Sequence, residues 1–145
     1  MPAEYFFGLT LAHTRGHLFR AILEGMAYGL RHNFEVMQEI GAQIGEITAV
    51  GGGTKNSVWV QAVSDITGIP QRIPEIALGA SYGDAFLAGY SVGLFTQATE
   101  VDNWMKIREM ILPRQEFNAV YDHDYLIYRE LYERNKDLMH QIARY

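Results

Sequence analysis

Cysteine is absent from the 145 residues, which excludes disulfides and thiolate metal sites of every kind. Positive charge is scarce: twelve Lys and Arg face seventeen Asp and Glu, for a net charge of −5. Neutralising a nucleic-acid backbone takes a basic face, so this balance argues against nucleic acid as the main partner. It does not exclude a single nucleotide, which backbone N–H groups and a few side chains can hold. No apolar run approaches the roughly 20 residues of a membrane span. The opening Met1-Pro2-Ala3-Glu4 carries neither the basic nor the apolar region of a signal peptide. The expectation is a cytoplasmic chain with no membrane partner. Internal repeats and low-complexity tracts are also lacking.

What is present is the composition of an ordinary globular chain, 48% hydrophobic and 20% charged, long enough for one domain and one core. Residues 5–12 are apolar and aromatic and read as a short strand or a buried turn. Thr14 is a helix N-cap, and Leu18, Ile22, Met26, Leu30, Phe34 and Met37 recur at helical spacing until Gly41. Gly25 and Gly29 interrupt that helix and point to close packing there. Residues 46–50 read as a buried strand, followed by the loop Gly51-Gly52-Gly53-Thr54-Lys55-Asn56. Ser57 is then expected to cap a helix with Trp59, Ala62, Val63 and Ile66 on its apolar face, stopped by Gly68.

Residues 71–74, bracketed by Pro70 and Pro74, read as a second strand, with prolines better suited to strand ends or edges than to a centre. A helix rich in small residues spans 79–93, a short helix is placed at 103–107, and Pro113 breaks the chain. A long helix over 122–143 carries Tyr125, Tyr128, Leu131, Tyr132, Leu138 and Met139 at helical spacing. The order is α/β, helix-rich, with too few strands for a normal sheet. The expectation is one incomplete domain over residues 1–145.

The sharpest local signal is strand, glycine loop, helix. Glycines after a strand let a ligand approach the backbone, and the next helix offers free N–H groups and a partial positive charge. The spacing does not fit a P-loop. Gly51-x-Gly53 fits the start of a dinucleotide fingerprint, with Glu75 as the acidic residue, but Asn56 stands where the third glycine belongs. A ligand-free turn is the plain structural alternative.

Beyond the loop, the segment from Ile47 through Gly51-Gly52-Gly53-Thr54-Lys55-Asn56-Ser57-Val58-Trp59 to Gly68 resembles the adenosine motif of the FGGY carbohydrate kinases. Gly8-Leu9, seven intervening residues and then His17-Leu18-Phe19-Arg20-Ala21-Ile22-Leu23-Glu24 resemble that family's carboxy-terminal signature, with Glu4 departing from its usual small residue. Gly79-Ala80-Ser81-Tyr82-Gly83-Asp84-Ala85 resembles the helix crossing between the two domains of the fold, and Tyr121, Tyr125, Tyr128 and Tyr132 resemble its last helix. The stretch from Gly29 to Met37 leans toward the pentulose, xylulose-type kinases.

The resemblance implies a partial actin-like ATPase (ribonuclease H-like) domain, the carboxy-terminal half of a kinase that transfers the terminal phosphate of ATP, with Mg²⁺, to a sugar hydroxyl. It implies that Gly51, Gly52 and Gly53 give backbone contact to the nucleotide and that Asn56 bonds the adenine edge or ribose. The phosphate-binding Asp-Gly-Thr turn, the sugar site and the catalytic base have no counterpart in these residues. No catalytic residue is therefore assigned, and the chain alone is expected to be inactive. Its partners are ATP and, through the missing amino-terminal domain, a sugar. Bare apolar surface left by that domain makes a homo-oligomer, or a non-catalytic binding module, the second reading, and an NAD-binding module the third.

The remaining chemistry-bearing residues have plainer readings. His13 and His17, four apart, are surface or helix-start histidines, not metal ligands. Asp122-His123-Asp124 is an exposed helix start, the tyrosine stripe is packing, Lys55 is a solvated loop lysine, and Asp65 and Asp84 lie on polar helix faces.

Overall fold

The computed structural model describes residues 6–76 and 79–142. Met1-Pro2-Ala3-Glu4 and position 143, the expected end of the last helix, lie outside the described residues. Residues 6–12 form exposed turns and neither a strand nor a buried segment; Phe7 and Leu11 stand open to solvent.

Helix α1 (Arg15–Glu39) follows Thr14, whose backbone is extended. The Nδ1 of His17 accepts from the Thr14 N–H at 3.1 Å and meets Thr14 Oγ1 at 2.9 Å. His17 thereby takes the part that Glu or Gln plays in a capping box. The helix closes where Gly41 turns to φ +96° and donates to the Gln38 carbonyl.

Strand β1 (Ile47–Thr48), helix α2 (Ser57–Thr67) and strand β2 (Gln71–Pro74) form a parallel β–α–β unit, with Ile47 opposite Gln71 and Thr48 opposite Arg72. Gly68, at φ +70°, closes α2 by donating to the Ser64 carbonyl at 2.9 Å. After helix α3 (Ala80–Ser91) and a 3-10 segment, Ala98–Trp104, comes strand β3 (Ile107–Ile111), antiparallel to β2. The helix expected over 103–107 is thus replaced by the end of that 3-10 segment and the start of a strand. β2 is the central strand of three despite its prolines. Pro70 precedes it and accepts from the Ile47 N–H at 3.0 Å. Pro74 ends it, where the register with β3 slips, so the missing proline N–H groups fall where the ladder is already starting or breaking.

Helix α4 (Asn118–Ile142) begins a turn before the expected Asp122. The core lies where α1, α2 and α4 meet: Ala27, Tyr28, Val63, Ile66, Tyr121 and Tyr125, with Leu30, Trp59 and Tyr128 packed against them. Gly29 belongs to this seam, with the Tyr128 hydroxyl 3.6 Å from the place of its absent Cβ, whereas nothing lies that near Gly25. α2 is buried on nearly every side from Val60 to Ile66, between the sheet and the α1–α4 pair. No helix among the described residues is long and apolar enough to cross a membrane.

A second, smaller cluster joins Phe86 of α3 to Phe95 and Trp104, with ring centroids 4.8 and 5.6 Å away. Gly89 is required here, because a Cβ would come within 2.6 Å of the Phe95 ring. Tyr82 donates to the Trp104 carbonyl at 2.8 Å. The rest of α3 is bare, with Leu87 and Tyr90 exposed and Val92 and Leu94 exposed just beyond it.

Candidate functional site

Two of the three loop glycines have separate structural reasons to be glycine, and the third has none. Gly51 sits at φ +85°, a conformation that L side chains rarely adopt. A Cβ on Gly53 would fall 1.8 Å from Cζ3 of Trp59. Gly52 has neither constraint: its φ is not positive, and a Cβ there would meet nothing within 4 Å. The chain over Gly52–Lys55 is a 3-10 turn, and Gly52 faces open space.

The turn spends its carbonyls internally. Thr54 donates to the Gly51 carbonyl from its N–H at 3.2 Å and its hydroxyl at 2.8 Å, and Asn56 N–H donates to Gly53 at 3.0 Å. The N–H groups of Gly52 and Gly53 reach no acceptor among the described residues. Asn56 Oδ1 accepts from the Trp59 N–H at 3.2 Å, so Asn56 is the N-cap of α2, and Ser57, expected as the cap, is its exposed first residue. The cap occupies the Asn56 carbonyl oxygen and leaves its NH₂ for a ligand. Lys55 is exposed, with no ion-pair partner among the described residues. The turn therefore offers donors, a helix N-terminus and open space, but no carboxylate. Such a surface can donate hydrogen bonds to a ligand, and nothing on it is assigned to Mg²⁺.

The floor under the turn is held by buried polar groups that apolar periodicity does not reveal. Gln71 Nε2 donates to the Val60 carbonyl at 2.6 Å and to Ser64 Oγ at 2.9 Å, and Ser64 Oγ donates to the Ile111 carbonyl at 3.1 Å. These bonds pin α2 to β2 and β3. Asp65, read as a polar helix face, is instead buried. Its carboxylate accepts from Arg114 N–H (2.9 Å), Nε (3.1 Å) and Nη2 (2.6 Å), and from Gln61 Nε2 (2.8 Å). Burial alone pushes the carboxyl up; the bonds from Arg114 and Gln61 outweigh it and hold Asp65 below the usual carboxylate range.

Other candidates fall into place away from the turn. His13 and His17 meet edge to face at 5.6 Å, each with Nδ1 engaged by a threonine. Asp122 is exposed and pairs with Arg31 at 2.7 Å. Tyr121 and Tyr125 are buried against Tyr28, while Tyr132 stays exposed. A groove of about 640 Å³ runs between α1 and α4, lined by Ile22, Tyr28, Tyr128, Tyr132 and Met139 with Glu24 and Asp124.

A parallel β–α–β unit with an open glycine turn, followed by an antiparallel strand and a long closing helix, is part of an actin-like ATPase fold. Solved structures show the same arrangement. The xylulose kinase of Rhodospirillum rubrum matches 94% of this chain and 28% of its own, with a TM-score of 0.81 and 33% identity. The ligand-bound xylulose kinase of Lactobacillus acidophilus, at 21% identity, shares the fold over 95% of this chain and 28% of its own, with a TM-score of 0.83.

The chain belongs to the FGGY family of carbohydrate kinases, whose C-terminal-domain model matches residues 2–92. A xylulose kinase of Staphylococcus epidermidis is 32% identical over 134 residues, covering 92% of this chain and 27% of the relative. A glycerol kinase of Saccharolobus islandicus is 39% identical over 107 residues, covering 73% of this chain and 21% of the relative. The chain thus spans about a quarter of the length of the relatives it matches.

Proposed function

We propose that this chain is the nucleotide side of a sugar kinase, an incomplete domain that receives the adenosine of ATP on Gly51, Gly52, Gly53 and Asn56. The observation that carries this reading is the open space over Gly52, flanked by two unspent N–H groups at the mouth of a parallel strand pair. Crevices at the carboxyl ends of parallel strands are where open α/β sheets bind ligands. The acceptor in the complete enzyme is a sugar, with a pentulose of the xylulose type favoured by the xylulose kinases among its relatives.

Phosphoryl transfer depends on positioning and charge stabilisation across a cleft. The turn supplies one wall of it and no carboxylate, so the chain alone should show no sugar-dependent turnover. A second reading, an association module, is favoured by the bare apolar side of α3.

The test is calorimetric titration with Mg-ATP of the parent and of Gly52→Val. A side chain at 52 meets no protein atom, so the valine should leave folding intact and fill the ligand's space. Binding by the parent and its loss in the variant is the expected result. Equal binding by both would remove the nucleotide from the turn. A folded parent that binds no adenine nucleotide would reject the reading for the isolated chain.

A further inference from the structure

We infer that Trp59 is a positioning residue for the nucleotide turn: its indole, anchored in the core, sets the course of the backbone at Gly53 and so aims the free N–H groups of Gly52 and Gly53. The inference rests on the nucleotide reading above. The ring fills the space that a side chain at 53 would need, with Cζ3, Cε3 and Cη2 at 1.8, 2.6 and 2.9 Å from the ideal Cβ position. An indole cannot yield there as a flexible chain end would, because it packs against the buried cluster that includes Val63, Ile66 and Tyr28. Trp59 is tied to the turn a second time through its own N–H, which the Asn56 side chain accepts. One residue therefore couples the core of α2 to both the apex and the end of the turn.

The polar handle of the ring takes no part. Trp59 Nε1 is buried without a hydrogen-bond partner among the described residues. A buried donor left unmade is unfavourable, so what the ring contributes here is its shape. Phenylalanine removes that orphan donor while shortening the edge beneath Gly53, which separates support of the turn from support of the core. Glycine at 53 and tryptophan at 59 are then complementary: alanine at 53 collides with the long ring and fits a shorter one.

The experiment is a cycle of Trp59→Phe, Gly53→Ala and the double variant. It is read by the amide resonances of Gly52, residue 53 and Thr54, by Mg-ATP affinity, and by melting temperature. Trp59→Phe should stay folded, melting within about 4 °C of the parent, yet move those amides and weaken Mg-ATP about tenfold. Gly53→Ala should weaken binding in the Trp59 parent and do so far less in the Phe background. A role confined to stability would not produce this reciprocal rescue. Should Trp59→Phe fail to fold, Gly53→Ala with Trp59 in place probes the same contact from the other side, and unchanged amides there overturn the inference. Unmoved amides and affinity in Trp59→Phe, or additive losses in the double variant, also overturn it and leave the nucleotide reading standing. A parent whose turn amides do not respond to Mg-ATP overturns that reading, and the positioning role with it.

Discussion

The α1–α4 seam and the glycine turn both build outward from α2, and they treat polar groups in opposite ways. In the seam nearly every polar tip is spent. Arg31 donates to the Ile66 carbonyl (3.1 Å), to Asp122 (2.7 Å) and to Glu35 (3.3 Å), and its guanidinium lies 4.3 Å from the centre of the Tyr125 ring. Tyr125 donates to Glu35 at 2.5 Å, and Tyr121 donates to Glu24 at 3.0 Å while accepting from Arg20 at 2.8 Å. Burial raises the hydroxyl pKa of Tyr28, Tyr121 and Tyr125, and neighbouring carboxylates add to the effect, so these phenols stay protonated and Tyr121 and Tyr125 remain donors. At the turn the N–H groups of Gly52 and Gly53 reach no acceptor among the described residues. Unspent donors beside open space leave the turn accessible from outside, whereas a spent network marks what the fold completes alone.

The largest effect should come from breaking the packed side of this contrast at Asp65. Arg114→Ala strands a fully buried carboxylate with only the residue-114 N–H and Gln61 to answer it. Arg114 is itself half exposed, but its loss leaves a buried charge short of partners, worth about 3 kcal/mol, readable as a drop in urea midpoint at pH 7. The pH dependence follows from the direction of the shift. Asp65 is depressed in the folded parent, so its stabilisation is present above the unfolded carboxyl value and is lost as pH falls through the lower folded value. Without the guanidinium, burial dominates, and the acid limb of the stability curve should move to higher pH. An unchanged acid limb would mean that Arg114 does not set the titration of Asp65.

A smaller loss, about 2 kcal/mol, is expected from Arg31→Ala, which removes charge-assisted hydrogen bonds and a cation–π contact from a largely buried side chain. The same measurement on Gly52→Val should show a change within about 0.5 kcal/mol, since nothing at the turn depends on that position for packing. If the two losses were alike, the turn would be as much a part of the packed body as the seam, and the contrast would fail.

How much of this was legible in the sequence follows the same line. Helices α1, α2 and α4 announce themselves by apolar spacing, the first two also by Thr14, Gly41 and Gly68 at their ends, α3 by its run of small residues, and the parallel β1–β2 pair by short runs around a glycine loop. β3 did not, because four of its five residues are exposed and show no alternation; its pairing with β2 is a tertiary fact. Asn56 and Ser57 are both good capping residues, and only the backbone course shows that Asn56 holds the Trp59 N–H. Asp65 and Gln71 look like surface residues until Arg114, Ser64 and Val60 are brought to them from elsewhere in the chain. The glycine turn was legible as a turn, but the separate reasons for Gly51 and Gly53 were not.

The smallest expected effect on stability, and the one that sharpens the comparison on a third surface, lies on α3. Leu87 is 61% exposed on a helix whose packed side is closed by Phe86, Phe95 and Trp104. Leu87→Gln exchanges two good helix formers at a position with little to lose, so the urea midpoint should move by the equivalent of no more than about 0.5 kcal/mol. What should move is association. Tyr90, Val92 and Leu94 are exposed with Leu87, and exposed apolar residues gathered at one helix make a candidate interface. Sedimentation across a concentration series should show the parent self-associating and Leu87→Gln shifted toward monomer, with no response of either to Mg-ATP, because the turn is not part of that face. A parent that stays monomeric throughout would exclude a second copy as the cover for the bare side of α3. Association that disappears with Mg-ATP would join the two surfaces into one, and the separation between a finished seam, an open turn and an uncovered helix would have to be redrawn.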